Sequence, residues 1–226
     1  MSITAKIYSL KKNLEACSDR SKNLEILAVS KGQSVTAIEE AFAAGIRHFG
    51  ESYWQEAFPK IQALQKLPIT WHFIGPIQSN KTKLIAEHMD WVHSIDREKI
   101  AKMLSLYRPP HLKPLNLCIQ VNLDKEPNKA GVSLQNCQNN LIALAKTIQT
   151  LPKLCLRGLM CIPKAGKHPE EQLQGFRQLA LLFKELNQQL PNKLDTLSMG
   201  MSEDYLAAVK AGSTFIRIGR AIFGAR

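Results

Sequence analysis

The feature that most constrains this chain is an alternation of short β-rich or continuously apolar runs with amphipathic helical stretches. Eight such runs are present: Ile26–Ser30, Arg47–Phe49, Trp71–Ile74, Trp91–His93, Leu115–Val121, Leu154–Met160, Thr196–Ser198 and Phe215–Ile218. Parallel strands buried on both faces have this character. Residues 133–151 place Leu134, Cys137, Leu141, Leu144, Ile148 and Leu151 on one helix face, with Ser133 as the expected N-cap. Residues 169–190 open on Pro169-Glu170-Glu171, suited to a first turn, and then present Leu173, Phe176, Leu179, Phe183, Leu186 and Leu190. Thr36-x-x-Glu39 and Ser52-x-x-Gln55 match the capping box, and Gly45 and Gly212 stand where helices should stop. Before the first run, Ile3, Ile7, Leu10, Leu14 and Cys17 mark an additional helix. A doubly wound sheet would leave some runs over, whereas a (β/α)8 barrel uses all eight, and 226 residues suit it. The expected fold is therefore α/β: a single TIM barrel domain spanning residues 1–226, with an extra N-terminal helix.

Composition narrows the class. An apolar fraction of 45% and a charged fraction of 22% exclude disorder and fibrous structure. No apolar run reaches the length of a membrane span, and Met1 to Lys6 lacks a secretory signal, so the expected compartment is the cytoplasm. The five cysteines, at 17, 118, 137, 155 and 161, include no CxxC pair. Cys118, Cys155 and Cys161 sit in apolar runs and read as reduced core residues. His72, His93 and Asp96 are scattered, without paired helical spacing, so no metal is expected. The net charge of +11 favours anionic partners, either nucleic acid or a phosphorylated small molecule. Lys and Arg are dispersed and form no nucleic-acid-binding signature, which favours the small molecule.

A barrel builds its site at the C-terminal ends of its strands. The first run closes on Lys31. Partial desolvation of such a lysine would lower its pKa and leave an amine able to form a Schiff base with an aldehyde; a lysine snorkelling to solvent is the plainer alternative. After the last two runs, where barrels often bind phosphate, Ser198 offers a hydroxyl and Gly219-Arg220 offer backbone N–H groups at the start of a short helix. His72 lies on an inner strand, where a hydrogen-bonded core role competes with a role in the site.

Several segments carry a specific resemblance. Ala28-Val29-Ser30-Lys31, Phe49-Gly50-Glu51, Trp71 to Lys81, Arg157-Gly158-Leu159-Met160, Leu197 to Ser202, and Arg217-Ile218-Gly219 followed by Ala221 to Gly224 are similar to the pyridoxal phosphate (PLP) homeostasis proteins, the YggS or PROSC family. The resemblance runs from about residue 24 to the C-terminus. It implies a barrel like the N-terminal domain of alanine racemase, with PLP held as a Schiff base on Lys31. It also implies that Ser198 and the backbone of Gly219 and Arg220 hold the phosphate, and that Arg217 faces the pyridine nitrogen. Two positions depart from the family pattern. Ser52 stands where Asn is usual, and Arg220 where a small or hydroxylated residue is common.

The implied role is non-enzymatic control of PLP and vitamin B6 supply by a monomer, with PLP-dependent recipient enzymes and amino acids as possible partners. PLP catalysis uses the ring as an electron sink. An arginine at the pyridine nitrogen, having donors only, favours the unprotonated ring and weakens that sink. A two-base racemase also needs a second proton donor; Tyr8, Tyr53, Tyr107 and Tyr205 all fall in helical patterns, from which Tyr53 or Tyr205 could still approach the mouth in a first turn, helix packing being the plainer reading. No catalytic residue is therefore assigned. A PLP-dependent racemase or lyase is the alternative.

Overall fold

The computed structural model describes residues 1–17, 24–124, 130–133, 137–164 and 168–225. In chain order the elements are α1 (Ile3–Glu15), β1 (Glu25–Val29), α2 (Val35–Ala43), β2 (His48–Glu51), α3 (Trp54–Ala63), β3 (Thr70–Phe73), α4 (Thr82–His88), β4 (Trp91–Ile95) and α5 (Glu98–Tyr107). They continue with β5 (Leu115–Asn122), β6 (Val132–Ser133), α6 (Cys137–Thr150), β7 (Leu154–Cys161), α7 (Pro169–Gln189), β8 (Thr196–Ser198), α8 (Tyr205–Lys210), β9 (Phe215–Ile218) and α9 (Arg220–Phe223).

All eight expected strands form, and they close into a parallel barrel. The ring runs β1-β2-β3-β4-β5-β7-β8-β9 and returns to β1, where Glu25 pairs with Phe215 and Ala28 with Ile218. The register puts His48 beside Thr70 and His72 beside Trp91, which staggers these inner residues in height. The sequence reading missed β6. It pairs in parallel with Val121 and Asn122, beyond the point where β4 leaves β5.

Apolar burial is divided by the barrel wall. Outside it, the helices pack on outward strand residues in one large cluster that includes Ile38, Phe49, Ile85, Leu104, Leu141 and Phe176. Inside it, Leu27, Trp91, Cys118, Met160 and Phe215 form a second cluster. α1 adds Ile7, Leu10 and Leu14 to the outer layer and packs against α9. Among the described residues no helix is long and apolar enough to cross a membrane.

Helix boundaries follow the expected chemistry with three corrections. Gly45 and Gly212 end helices with φ of 93° and 95°, and Pro169 opens α7 behind a capping box of His168 and Glu171. However, α2 is capped by Ser34 rather than Thr36, because the turn after β1 is short and Ser34 Oγ is already in place to accept the Ala37 N–H at 3.1 Å. α3 follows Tyr53 in extended conformation without a side-chain cap, so Ser52 is not its N-cap. Ser133, expected to cap α6, belongs to β6; Leu134 lies outside the described residues. Of the cysteines read as core, Cys118 and Cys161 are fully buried and Cys155 is half-buried.

Candidate functional site

A cavity of about 550 Å3 opens at the C-terminal end of the strands. Five of the seven expected site residues line it: Lys31, Ser52, Arg217, Gly219 and Arg220. They come from the ends of β1, β2 and β9, strands adjacent in the ring although distant in the chain. Ile74 and Ile162 supply apolar wall, and the loop from Met201 to Asp204 forms one side. Ile74, Met201 and Ser202 fall within the segments that carry the family resemblance, whereas Ile162, Glu203 and Asp204 lie outside them.

Lys31 is half-buried and makes no hydrogen bond or ion pair among the described residues. The backbone on either side of it is held firmly. Ser30 N–H bonds Gly50 O at 3.0 Å, and Gly32 turns the chain with φ of 72°, a conformation that favours glycine. Beneath the turn lies a buried ion cluster. Lys60 on α3 donates to Ser30 O (2.8 Å), to Glu51 Oε1 (2.9 Å) and to Glu56 Oε1 (2.6 Å). Ser30 Oγ donates to Glu51 Oε1 at 2.7 Å, and Gly32 N–H donates to Glu56. Burial raises the Glu51 carboxyl above its usual range, while Ser30 and Lys60 hold it down. Lys60 had a legible signal: it stands on the buried stripe of α3 with Trp54 and Ala57.

Arg217 forms part of the cavity floor. Its Nη1 donates to Ser198 O (2.6 Å) and Ser198 Oγ (2.9 Å), and its Nη2 donates to Cys161 O (2.7 Å). No carboxylate is hydrogen-bonded to it among the described residues, although Asp204 acts on it at longer range, and burial lowers its pKa. A buried cation hydrogen-bonded only to neutral oxygens is costly; the Asp204 carboxylate at the cavity wall offsets part of that cost, and a further acceptor in the cavity would be favoured. Burial also pushes the neighbouring Cys161 thiol up to about 12, which keeps it protonated and unreactive.

Gly219 exposes its backbone to the cavity. A Cβ there would come no nearer than 3.6 Å to the protein, at Val29, so the fold itself leaves room for a side chain. The adjoining loops are joined by the Ala221 N–H donating to Ser202 Oγ at 3.3 Å. The exposed Arg220 side chain pairs with Glu203 at 2.6 Å, and both stand at the cavity. Ser52 is buried at the wall, and its backbone packs so closely on Gly75 that a Cβ there would collide with it.

The other two expected residues lie deeper. Ser198 is fully buried and is not part of the cavity lining; its Oγ meets Arg217 and sits 2.8 Å from His93 Nδ1. His72 is fully buried inside the barrel between His48 and His93, the core placement considered for it. Tyr53 is largely exposed and Tyr205 packs on the outer core, and neither lines the cavity.

The alanine racemase N-terminal domain model matches residues 6–226. A pyridoxal phosphate homeostasis protein of Pasteurella multocida is 47% identical over 233 aligned residues, covering 100% of this chain and 98% of that one. This chain belongs to the pyridoxal phosphate homeostasis family. The Vibrio cholerae member of the family is 50% identical over 228 residues, covering 99% of this chain and 93% of its own. Among solved structures, PipY of Synechococcus elongatus without PLP superimposes with a TM-score of 0.89 at 39% identity, covering 99% of this chain and 100% of PipY. The same protein with PLP bound gives 0.86 at 37% identity with the same coverage. The alanine racemase of Corynebacterium glutamicum is similar in fold, with a TM-score of 0.66 at 14% identity over 95% of this chain and 60% of the racemase.

Proposed function

We propose that this barrel, as one domain over residues 1–226, binds PLP at the cavity and serves PLP homeostasis without catalysing a reaction. The observation that carries the reading is the pairing, across one cavity, of Lys31, an amine unengaged among the described residues, with Arg217, a buried cation whose hydrogen bonds go only to neutral oxygens. Its volume lies within the range of small-molecule sites. The PLP-bound state of PipY and the names of the close relatives support the same ligand. PLP supplies an aldehyde, a phosphate and a pyridine nitrogen.

Each has a counterpart. Lys31 Nζ is the amine that forms the Schiff base: the C=N bond replaces the aldehyde C=O and one water leaves. The backbone of Gly219 and Arg220 faces the phosphate, with the short α9 behind it. Arg217 donates to the pyridine nitrogen, which holds the ring unprotonated. Ser198 acts on the ligand through Arg217, whose position it fixes. Since neither Tyr53 nor Tyr205 lines the cavity, the chain is best read as a carrier that lends PLP to recipient enzymes or amines.

The test is the visible spectrum of purified protein mixed with PLP, followed by borohydride reduction and peptide mapping. An imine band and a reduced adduct on Lys31 are expected, and Lys31→Ala should lose both. A colourless protein, or an adduct that survives in Lys31→Ala, would overturn the reading. The non-catalytic half is checked by α-proton exchange of amino acids in deuterated water. No exchange above a PLP-only control is expected.

A further inference from the structure

Three histidines form a row through the barrel interior. His48 Nδ1 is 2.9 Å from His72 Nε2, and His72 Nδ1 is 2.8 Å from His93 Nε2. His93 Nδ1 is 2.8 Å from Ser198 Oγ, the oxygen to which Arg217 Nη1 donates at 2.9 Å. At the other end His48 Nε2 faces Glu25 Oε2 at 3.7 Å. His48 and Glu25 line a second cavity, of about 300 Å3, at the N-terminal end of the barrel. Aromatic rings sheathe the row. Trp91 stacks on His72 with centroids 5.5 Å apart, and Phe215 touches all three imidazoles.

The chemistry of the Arg217 end sets the direction of every bond. Arginine only donates, so Ser198 Oγ accepts from it. The Ser198 hydroxyl is fully buried, and its partners among the described residues are Arg217 and His93, so its proton must go to His93 Nδ1. His93 then carries its hydrogen on Nε2 and donates to His72. His72 does the same toward His48, and His48 presents Nε2–H to Glu25, a carboxylate that only accepts. The reverse order would leave the Ser198 proton unbonded and aim a bare nitrogen at a carboxylate. Burial keeps the two inner rings neutral, with His72 well below its ordinary pKa and His93 lowered to about 3.

We propose that His93, His72 and His48 are positioning residues for Arg217. They form a one-way hydrogen-bond chain that fixes the Ser198 hydroxyl, and through it the guanidinium on the cavity floor, and that ties this guanidinium to the far end of the barrel. The consequence for PLP rests on the proposed function above; the chain itself does not. It transmits orientation and not protons, because Arg217 can accept none. A proton added to His48 would occupy Nδ1, where His72 already donates. His72 and His93 would then have to exchange tautomers, and Ser198 would lose its acceptor. The groups facing the chain are Glu25 on β1 and Asp90 before β4 at His48, the flanking histidines at His72, and Arg217 on β9 at His93.

The experiment has two arms. The first is nitrogen-15 NMR of the imidazoles in ligand-free protein at neutral pH. The expected result is three neutral rings, each protonated on Nε2, and a shift of His93 and His72 toward mixed tautomers in Ser198→Ala. An Nδ1–H tautomer at His93 in the wild type, or unchanged tautomers in Ser198→Ala, would overturn the proposal. The second arm compares PLP complexes of the wild type and His93→Leu. A displaced absorption maximum and a Kd raised about three- to tenfold are expected, the worth of one hydrogen bond. A folded His93→Leu with wild-type spectrum and Kd would overturn it. If that variant does not fold, the half-exposed His48→Leu replaces it, with the same readouts and a smaller displacement. A wild type that takes up no PLP would defeat the proposed function alone, and the first arm would still decide the chain.

Discussion

Lys60 and Gly219 show opposite ways in which one residue can serve the site. Lys60 never reaches the cavity, yet it holds the carbonyl of Ser30 and the two carboxylates that brace the Lys31 turn. Lys60→Met would leave Glu51 buried without its cation. Glu51 Oε2 already has no partner among the described residues, so nothing else would take up the charge. The expected loss is about 3 kcal/mol or more in urea unfolding, and Glu51→Gln/Lys60→Met should recover part of it. Gly219 is the reverse case. Its Cβ position is 3.6 Å from Val29, so Gly219→Ala should melt within a few degrees of the wild type. Its PLP affinity, read by absorbance titration, should nevertheless fall. Of these two only Gly219 was singled out from the sequence. The Lys60–Glu51 pairing joins a helix to a strand end, and no local spacing announces it.

At the scale of elements, the eight ring strands were legible because each is a short β-rich or apolar run bounded by turn chemistry. β6 was not legible: two residues carry no periodicity, and β5 recruits them only where β4 has already ended. The histidine row was hidden for a related reason. Its members are one per strand, and they meet only once the stagger of the barrel sets their heights. Two variants test the packing of elements. A Cβ on Gly158 of β7 would run into the Thr196 carbonyl on β8, where both strands face helices and neither can retreat. Gly158→Ala should therefore destabilise by about 2 kcal/mol or more in denaturant melts. Ser34→Ala removes the cap of α2, the helix that follows the Lys31 turn, and should lose about 1 kcal/mol.

For the whole molecule, the buried histidines dictate a pH dependence. The unfolded chain protonates them near pH 6.5, whereas folding lowers His93 to about 3 and His72 well below its ordinary value. Between those limits the unfolded state binds more protons. The stability is fully present above about pH 6.5 and is lost as pH falls, at about 1.4 kcal/mol per unit for each histidine. Glu51 and Asp90, raised by burial, act in the opposite sense, beginning nearer the carboxylate range. Urea melts from pH 7 to 5 should show the decline, and a folded His93→Leu should show a shallower one.

The seam between β1 and β9 joins the first strand of the barrel to the last. Lys31 follows one, and Arg217 and Gly219 belong to the other or follow it directly. During synthesis on the ribosome the lysine therefore emerges long before the residues that would complete the proposed site. A nascent chain can expose the amine, but the proposed site stays incomplete until β9 has been made and the ring has shut. Cofactor capture at the proposed site would thus wait on the last strand of the ring, and a message truncated before Phe215 would yield the hook without the pocket.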